Sequence, residues 1–163
     1  MKQLLIATSA LLLLSACGKG ETPPPPVQTA PGSGGARPEK MPNGQPGVVV
    51  VKHVLVAFAG SERSSQTRSK ADAQKLAYEI LGRAKSGEDF DKLVNQYSDD
   101  PGKQAYTMTN DGIEATPNIE FNRGDMATSF GDVGFRISVD EIGIAEYDPV
   151  NSRFGWHIIK RMK

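Results

Sequence analysis

Every aromatic residue in this chain of 163 lies between Phe58 and Trp156. That distribution separates a part that can bury a core from a part that cannot. Eight of the 11 prolines and 7 of the 17 glycines fall instead between Cys17 and Gly47. A stretch so rich in turn formers buries too little apolar surface to offset the entropy of ordering it. The remainder, residues 48–163, is about 115 residues long, enough for one domain that folds alone. Lys plus Arg and Asp plus Glu both number 19, so no net basic charge invites nucleic acid. The single cysteine excludes a disulfide framework, and the length excludes a large multidomain enzyme.

Residues 1–16 read as a secretory signal. Lys2 is followed by Leu4, Leu5, Ile6 and Ala7, and then by the apolar residues 10–14, a run too short to span a bilayer comfortably. Leu14-Ser15-Ala16-Cys17 resembles the lipobox of bacterial lipoproteins. The resemblance implies that Cys17 is acylated and becomes the mature N-terminus, anchoring the chain to a lipid membrane of the cell envelope. Gly18 stands where aspartate would resemble an inner-membrane retention signal, so the periplasmic face of the outer membrane is implied if the cell is diderm. The alternative is an ordinary secreted chain with a chance cysteine. Residues 17–47 then form the lipidated cysteine and a disordered Pro/Gly-rich tether, with polyproline at Pro23 to Pro26 and a flexible joint at Gly32-Ser33-Gly34-Gly35. Such a tether reaches roughly 30 Å as a coil and at most about 90 Å as polyproline II.

Hydrophobic periodicity orders the rest. Residues 48–58 (VVVVKHVLVAF) predict a largely buried strand. Ser69 with Asp72 starts a helix carrying Ala73, Leu76, Ala77, Ile80, Leu81 and Ala84, which Gly87 stops. Phe90, Leu93, Val94 and Tyr97 predict a short second helix from Asp89, and Met126, Phe130 and Val133 a third over residues 126–135. Residues 103–122 are polar and turn-rich, with at most one short strand. Residues 142–147 and 156–162 predict two final strands. The fold class is α+β: a small antiparallel sheet with three to four helices packed around it.

Four motifs in this segment resemble the parvulin family of peptidyl-prolyl cis/trans isomerases, the rotamases. Lys52-His53-Val54-Leu55-Val56 is similar to that family's first strand. Gly87-Glu88-Asp89-Phe90, Leu93 and Tyr97-Ser98-Asp99-Asp100 resemble its G-x-x-F-x-x-L-A-x-x-[FY]-S-D. Phe121-Asn122-Arg123-Gly124-Asp125-Met126 with Phe130 resembles F-x-R-G-x-M-x-x-x-F, and Phe154-Gly155-Trp156-His157-Ile158-Ile159 its closing F/Y-G-[YWF]-H-I-I.

The resemblance implies a prolyl isomerase without cofactor or metal, expected as a monomer and acting on unfolded or newly exported polypeptides. His53 and His157 should meet at the sheet centre, hydrogen-bonded to each other below the substrate bond, with Asp100 as their acid. Met126 and Phe130 should wall a proline cup, with Phe154 as a further substrate contact. By periodicity alone, Met126 and Phe130 read as core packing of an amphipathic helix, and the Arg123-Gly124 match beside them turns the reading to the cup. The histidines are equally read as a pair that holds strands together. One departure is plain: the family's G-G-D-L-G strand is missing between Asp100 and Phe121. Counting back from Phe121 puts Asn118 at the leucine that closes the cup, with Ile113 or Ile119 as substitutes. A non-catalytic chaperone or peptide-binding module is therefore the rival expectation.

Overall fold

The computed structural model describes residues 37–163; the leader, Cys17 and the tether up to residue 36 lie outside the described residues. Strand β1 (Val48–Val56) is the middle of a five-stranded sheet. It is flanked by β2 (Tyr106–Thr109) and β5 (Trp156–Arg161), with β3 (Glu120–Asn122) and β4 (Ile142–Ala145) at the edges. Successive side chains of β1 alternate between faces. Val49 and Val51 point to one apolar cluster and Val54 and Val56 to the other. Lys52 interrupts the run because it meets the ammonium's partner there: its Nζ donates to Asp91 Oδ1 at 2.7 Å.

Helices α1 (Lys70–Lys85) and α2 (Phe90–Tyr97) cover the Val54/Val56 face. The caps form as the sequence predicts. Ser69 Oγ accepts from Asp72 N at 3.1 Å, and Gly87, at φ +93°, donates its N–H to Ala84 O. Asp89 accepts from Asp91 N and Lys92 N to start α2. Helix α3 (Thr128–Arg136) covers the opposite face with Phe130, Val133 and Phe135.

The structure departs from expectation in three places. Residues 103–122 hold two short strands instead of one, and the sheet is not wholly antiparallel: β2 and β3 pair in parallel, Met108 beside Phe121. Residues 110–119 form a connection too long for a hairpin and bring β3 back in the same direction as β2. Helix α3 starts two residues late, because Arg123–Asp125 turn as a 3₁₀ helix and Met126 follows in extended conformation (φ −89°, ψ 164°). The last residues of the expected tether, 37–47, lie on the domain. Gly47 O accepts from Asn110 N at 2.8 Å, Lys40 bridges Pro46, and Arg37 pairs with Glu120 at 2.6 Å. Their polar groups find partners in the 110–120 connection, which composition alone does not reveal.

Gly155 fixes how β5 begins. Its φ is +146°, and a Cβ there would stand 2.2 Å from Val56 O. Gly60, at φ +94°, has open space around its missing Cβ. Gly60→Ala should cost backbone strain alone, about 1–3 kcal/mol. Gly155→Ala should cost more, since the end of β1 must also move. Urea denaturation with unchanged m values would rank the two; equal losses would mean the close approach is easily relieved.

Candidate active site

The β1–β5 register puts His53 opposite Ile159 and Leu55 opposite His157. The two histidines are therefore diagonal neighbours on one face, with ring centroids 5.3 Å apart and planes at 45°. Phe130 from α3 stands edge-on to both, at 5.0 and 5.2 Å. His53 is 4% exposed and His157 6%. The hydrogen bond between them that the sequence implied is not formed, and their ring nitrogens have no hydrogen-bond partner among the described residues. Diagonal placement and tilted rings keep the nitrogens from facing each other. His53 Nε2 does lie 3.0 Å from Asp100 Oδ2, an ion-pair distance, but off the line that a ring N–H would need. Burial pushes the pKa of His157 down to about 3; nearby His53 adds to the shift, and Asp100 opposes it. His157 is neutral at physiological pH.

The two adjacent acids divide the work. Asp99 belongs to β1. Its carboxylate accepts from Ala57 N at 2.8 Å and is ion-paired with Arg68. Asp100 makes the turn as well as facing the site. Its Oδ1 accepts from Gly102 N at 2.7 Å, and its Oδ2 accepts from the Tyr106 hydroxyl at 3.2 Å. Burial disfavours its charge, but His53, the Gly102 N–H and Tyr106 outweigh burial and hold the carboxyl below its ordinary value. Burial and that negative charge raise Tyr106 to about 12.

These groups lie at one cavity of about 370 Å³, lined by all six residues expected there: His53, Asp100, Met126, Phe130, Phe154 and His157. One of them arrives by another route than the sequence suggested. Met126 precedes α3 instead of riding on it, so it and Phe130 do not meet as neighbours on a helix face. Phe130, 2% exposed, is core and cavity wall at once. Neither isoleucine closes the cup. Ile119 is 69% exposed, and Ile113 lies beneath Gly47. Tyr106 lines the cavity instead. Counting back from Phe121 misses it because the 110–119 connection intervenes. The available signal was that Tyr106 is the only aromatic between Tyr97 and Phe121. A second, larger depression of about 660 Å³ lies between the end of α1 and the β4–β5 strands. It is lined mainly by charged side chains and holds none of the expected site residues.

The buried histidine gives a pH dependence with a definite sign. Unfolded, His157 takes a proton near pH 6.5; folded, it resists protonation until about pH 3. The unfolded state therefore binds more protons across that window, and stability is lost as pH falls through it. Asp100, held below its ordinary value, adds loss at the acid end. The thermal midpoint should decline from pH 7 towards 4, and His157→Gln should flatten the decline. A wild-type midpoint constant over that range would contradict burial of a neutral His157.

Comparison with known proteins completes the assignment. Foldase protein PrsA 4 of Bacillus cereus is 39% identical over 87 residues, covering 53% of this chain and 27% of that protein. Foldase protein PrsA of Halalkalibacterium halodurans is 30% identical over 118 residues, covering 69% and 32%. Chaperone SurA of Hahella chejuensis is 32% identical over 110 residues, covering 68% and 21%. The chain thus spans between about a fifth and a third of the length of these curated relatives. Among solved structures, the peptidyl-prolyl isomerase ESS1 from Candida albicans shares the fold, with TM-score 0.56 at 24% identity, over 73% of this chain and 67% of that one. A family model described as the PPIC-type PPIASE domain matches residues 39–163, and the chain belongs to that parvulin family.

Proposed function

We propose that this protein is a lipid-anchored, extracytoplasmic peptidyl-prolyl isomerase that assists the folding of exported polypeptides. One observation carries the reading: an apolar cavity whose floor is a pair of buried histidines, with an ionised carboxylate at its edge. An amide resists rotation by about 18–20 kcal/mol because its nitrogen lone pair is delocalised. A twisted amide has lost that charge separation, so an apolar wall favours it relative to water, which favours the planar forms. His53, His157 and Asp100 act as the polar group beneath the bond. Met126, Phe130 and Phe154 take the proline ring. The family and the foldase and chaperone names of the relatives support the substrate class of unfolded chains with X-Pro bonds, whose uncatalysed isomerisation takes tens to hundreds of seconds.

A protease-coupled isomerisation assay on residues 37–163 tests turnover. Met126→Ala should lower kcat/KM roughly tenfold with little change in melting point, because Met126 is only partly buried. Phe130→Ala should lower activity and also cost about 3–5 kcal/mol of stability, being core. Binding of an X-Pro peptide without acceleration would overturn the enzyme and leave a peptide-binding module, a reading that the altered 103–122 segment favours.

The anchor rests on Leu14-Ser15-Ala16-Cys17. No helix of the described residues is long and apolar enough to cross a membrane. A single acyl chain binds marginally, whereas two or more hold stably. Cys17→Ser should therefore release the protein into the soluble fraction or leave it unprocessed, with the isomerase rate unchanged. Correctly processed Cys17→Ser protein in the membrane fraction would rule out lipidation at this residue.

A further inference from the structure

Tyr106 enters the site by the register of the sheet. It pairs with Val51 on β1, and His53 is two residues further along on the same face. The Tyr106 ring is 5.4 Å from His53 and stands edge-on to Phe130 at 6.5 Å. Its hydroxyl reaches Asp100 Oδ2 at 3.2 Å. That contact needs an empty place in the turn. A Cβ on Gly102 would stand 2.6 Å from Tyr106 Oη and 3.3 Å from Asp100 Oδ1. Gly102 is not one of the glycines at positive φ, so space is what its missing side chain provides, not conformational freedom.

Two donors then hold one carboxylate. The Gly102 N–H holds Oδ1 at 2.7 Å, and the Tyr106 hydroxyl approaches Oδ2 from β2. With both oxygens tied, Oδ2 is left at 3.0 Å from His53 Nε2. One of its hydrogen bonds thus comes from its own turn and the other from β2.

We propose that Tyr106 is a positioning residue of this site: its hydroxyl, admitted by Gly102, aims the Asp100 carboxylate at His53. The catalytic consequence rests on the isomerase reading above; the positioning itself does not. The charged and titratable groups around Asp100 are His53 on β1, Tyr106 on β2 and His157 on β5, with the Asp99–Arg68 pair and Lys103 flanking it along the chain. Glu62 and Arg63 stand at the cavity rim.

Tyr106→Phe keeps the ring and removes only the donor. In the full-length protein it should lower kcat about threefold to tenfold with KM nearly unchanged. The acid limb of the pH–rate profile should move to higher pH, because Asp100 has lost a hydrogen bond that favours its charged form. Gly102→Ala should push the hydroxyl away and reproduce both effects. The double variant should be no worse than either single one, since both remove the same contact. A carboxyl-carbon NMR titration of Asp100 reads the positioning without turnover: its midpoint should rise in Tyr106→Phe and in Gly102→Ala. An Asp100 titration unmoved in both variants would overturn the positioning. Absence of isomerisation by the unmodified protein, with the titration moved, would instead overturn the isomerase reading and leave the hold on Asp100 standing. Additive losses in the double variant would show that Gly102 and Tyr106 act separately, against the proposal.

Discussion

The chain leaving α2 takes the place of a strand beside β1. On that side β2 covers only residues 48–51 of β1, so the peptide groups beyond need other partners. Leu55 N donates to Ser98 Oγ, Leu55 O accepts from Asp99 N, and Ala57 N donates to the Asp99 carboxylate. Buried backbone groups left without such bonds would each cost of the order of 1–3 kcal/mol. Arg68 tightens the closure by binding both Asp99 and Ala57 O. The segment cannot slide, because Phe90, Leu93 and Val94 plug α2 into the core beneath it. The place of the acid follows from this closure. Asp100 is the next residue after the last one bonded to β1, and so is delivered to the cavity edge.

The sheet's two faces then carry different burdens. The face under α1 and α2 is filled by apolar side chains from Val54 to Ile158. The face under α3 gives up two positions to His53 and His157, whose nitrogens lack partners among the described residues. Such orphaned polar groups cost stability wherever they are buried. They persist because the surrounding structure over-determines them: central β1 and β5 fix the backbones and Phe130 the rings. Arg123 secures the wall on the same face. Its guanidinium joins Gln45, Asn110 and Asp132 and lies over Phe135, which holds the 3₁₀ turn from which Met126 extends.

What the sequence disclosed was whatever depends on local pattern. The caps at Ser69 and Asp89 rest on side chains bonding within three residues, the stop at Gly87 on a left-handed backbone, and the strands at Val49 and Ile158 on apolar runs. All six expected cavity residues reach the same place because the motifs that carry them are short and rigidly placed. What stayed hidden depends on partners far along the chain. Asp99 and Asp100 look alike until Arg68 and Tyr106 are beside them. Tyr106 sits in a four-residue strand with no alternation to announce it, and the direction of β3 is set by a connection whose turns bond to residues 45–47. The proline-rich composition of 37–47 reads as tether because ordering there is supplied by the domain, not by its own side chains.

Isomerisation makes two demands that pull against each other. The wall around the proline must be dry, since water solvates the planar amide dipole better than the twisted one. The group beneath the bond must be polar and fixed, which normally requires water or charge nearby. The fold separates the two demands in space. On the proposed reading the apolar wall is Phe130, Met126 and Phe154, and burial keeps His157 uncharged among them. Charge comes from Asp100 at the edge, where a backbone N–H and a phenol hydroxyl make its ionised form favourable despite partial burial. A carboxylate placed under the cup itself would lose those donors, and desolvation would neutralise it. Holding the acid one turn away from the core, and aiming it inward, is what lets one small cavity be both apolar and polarising.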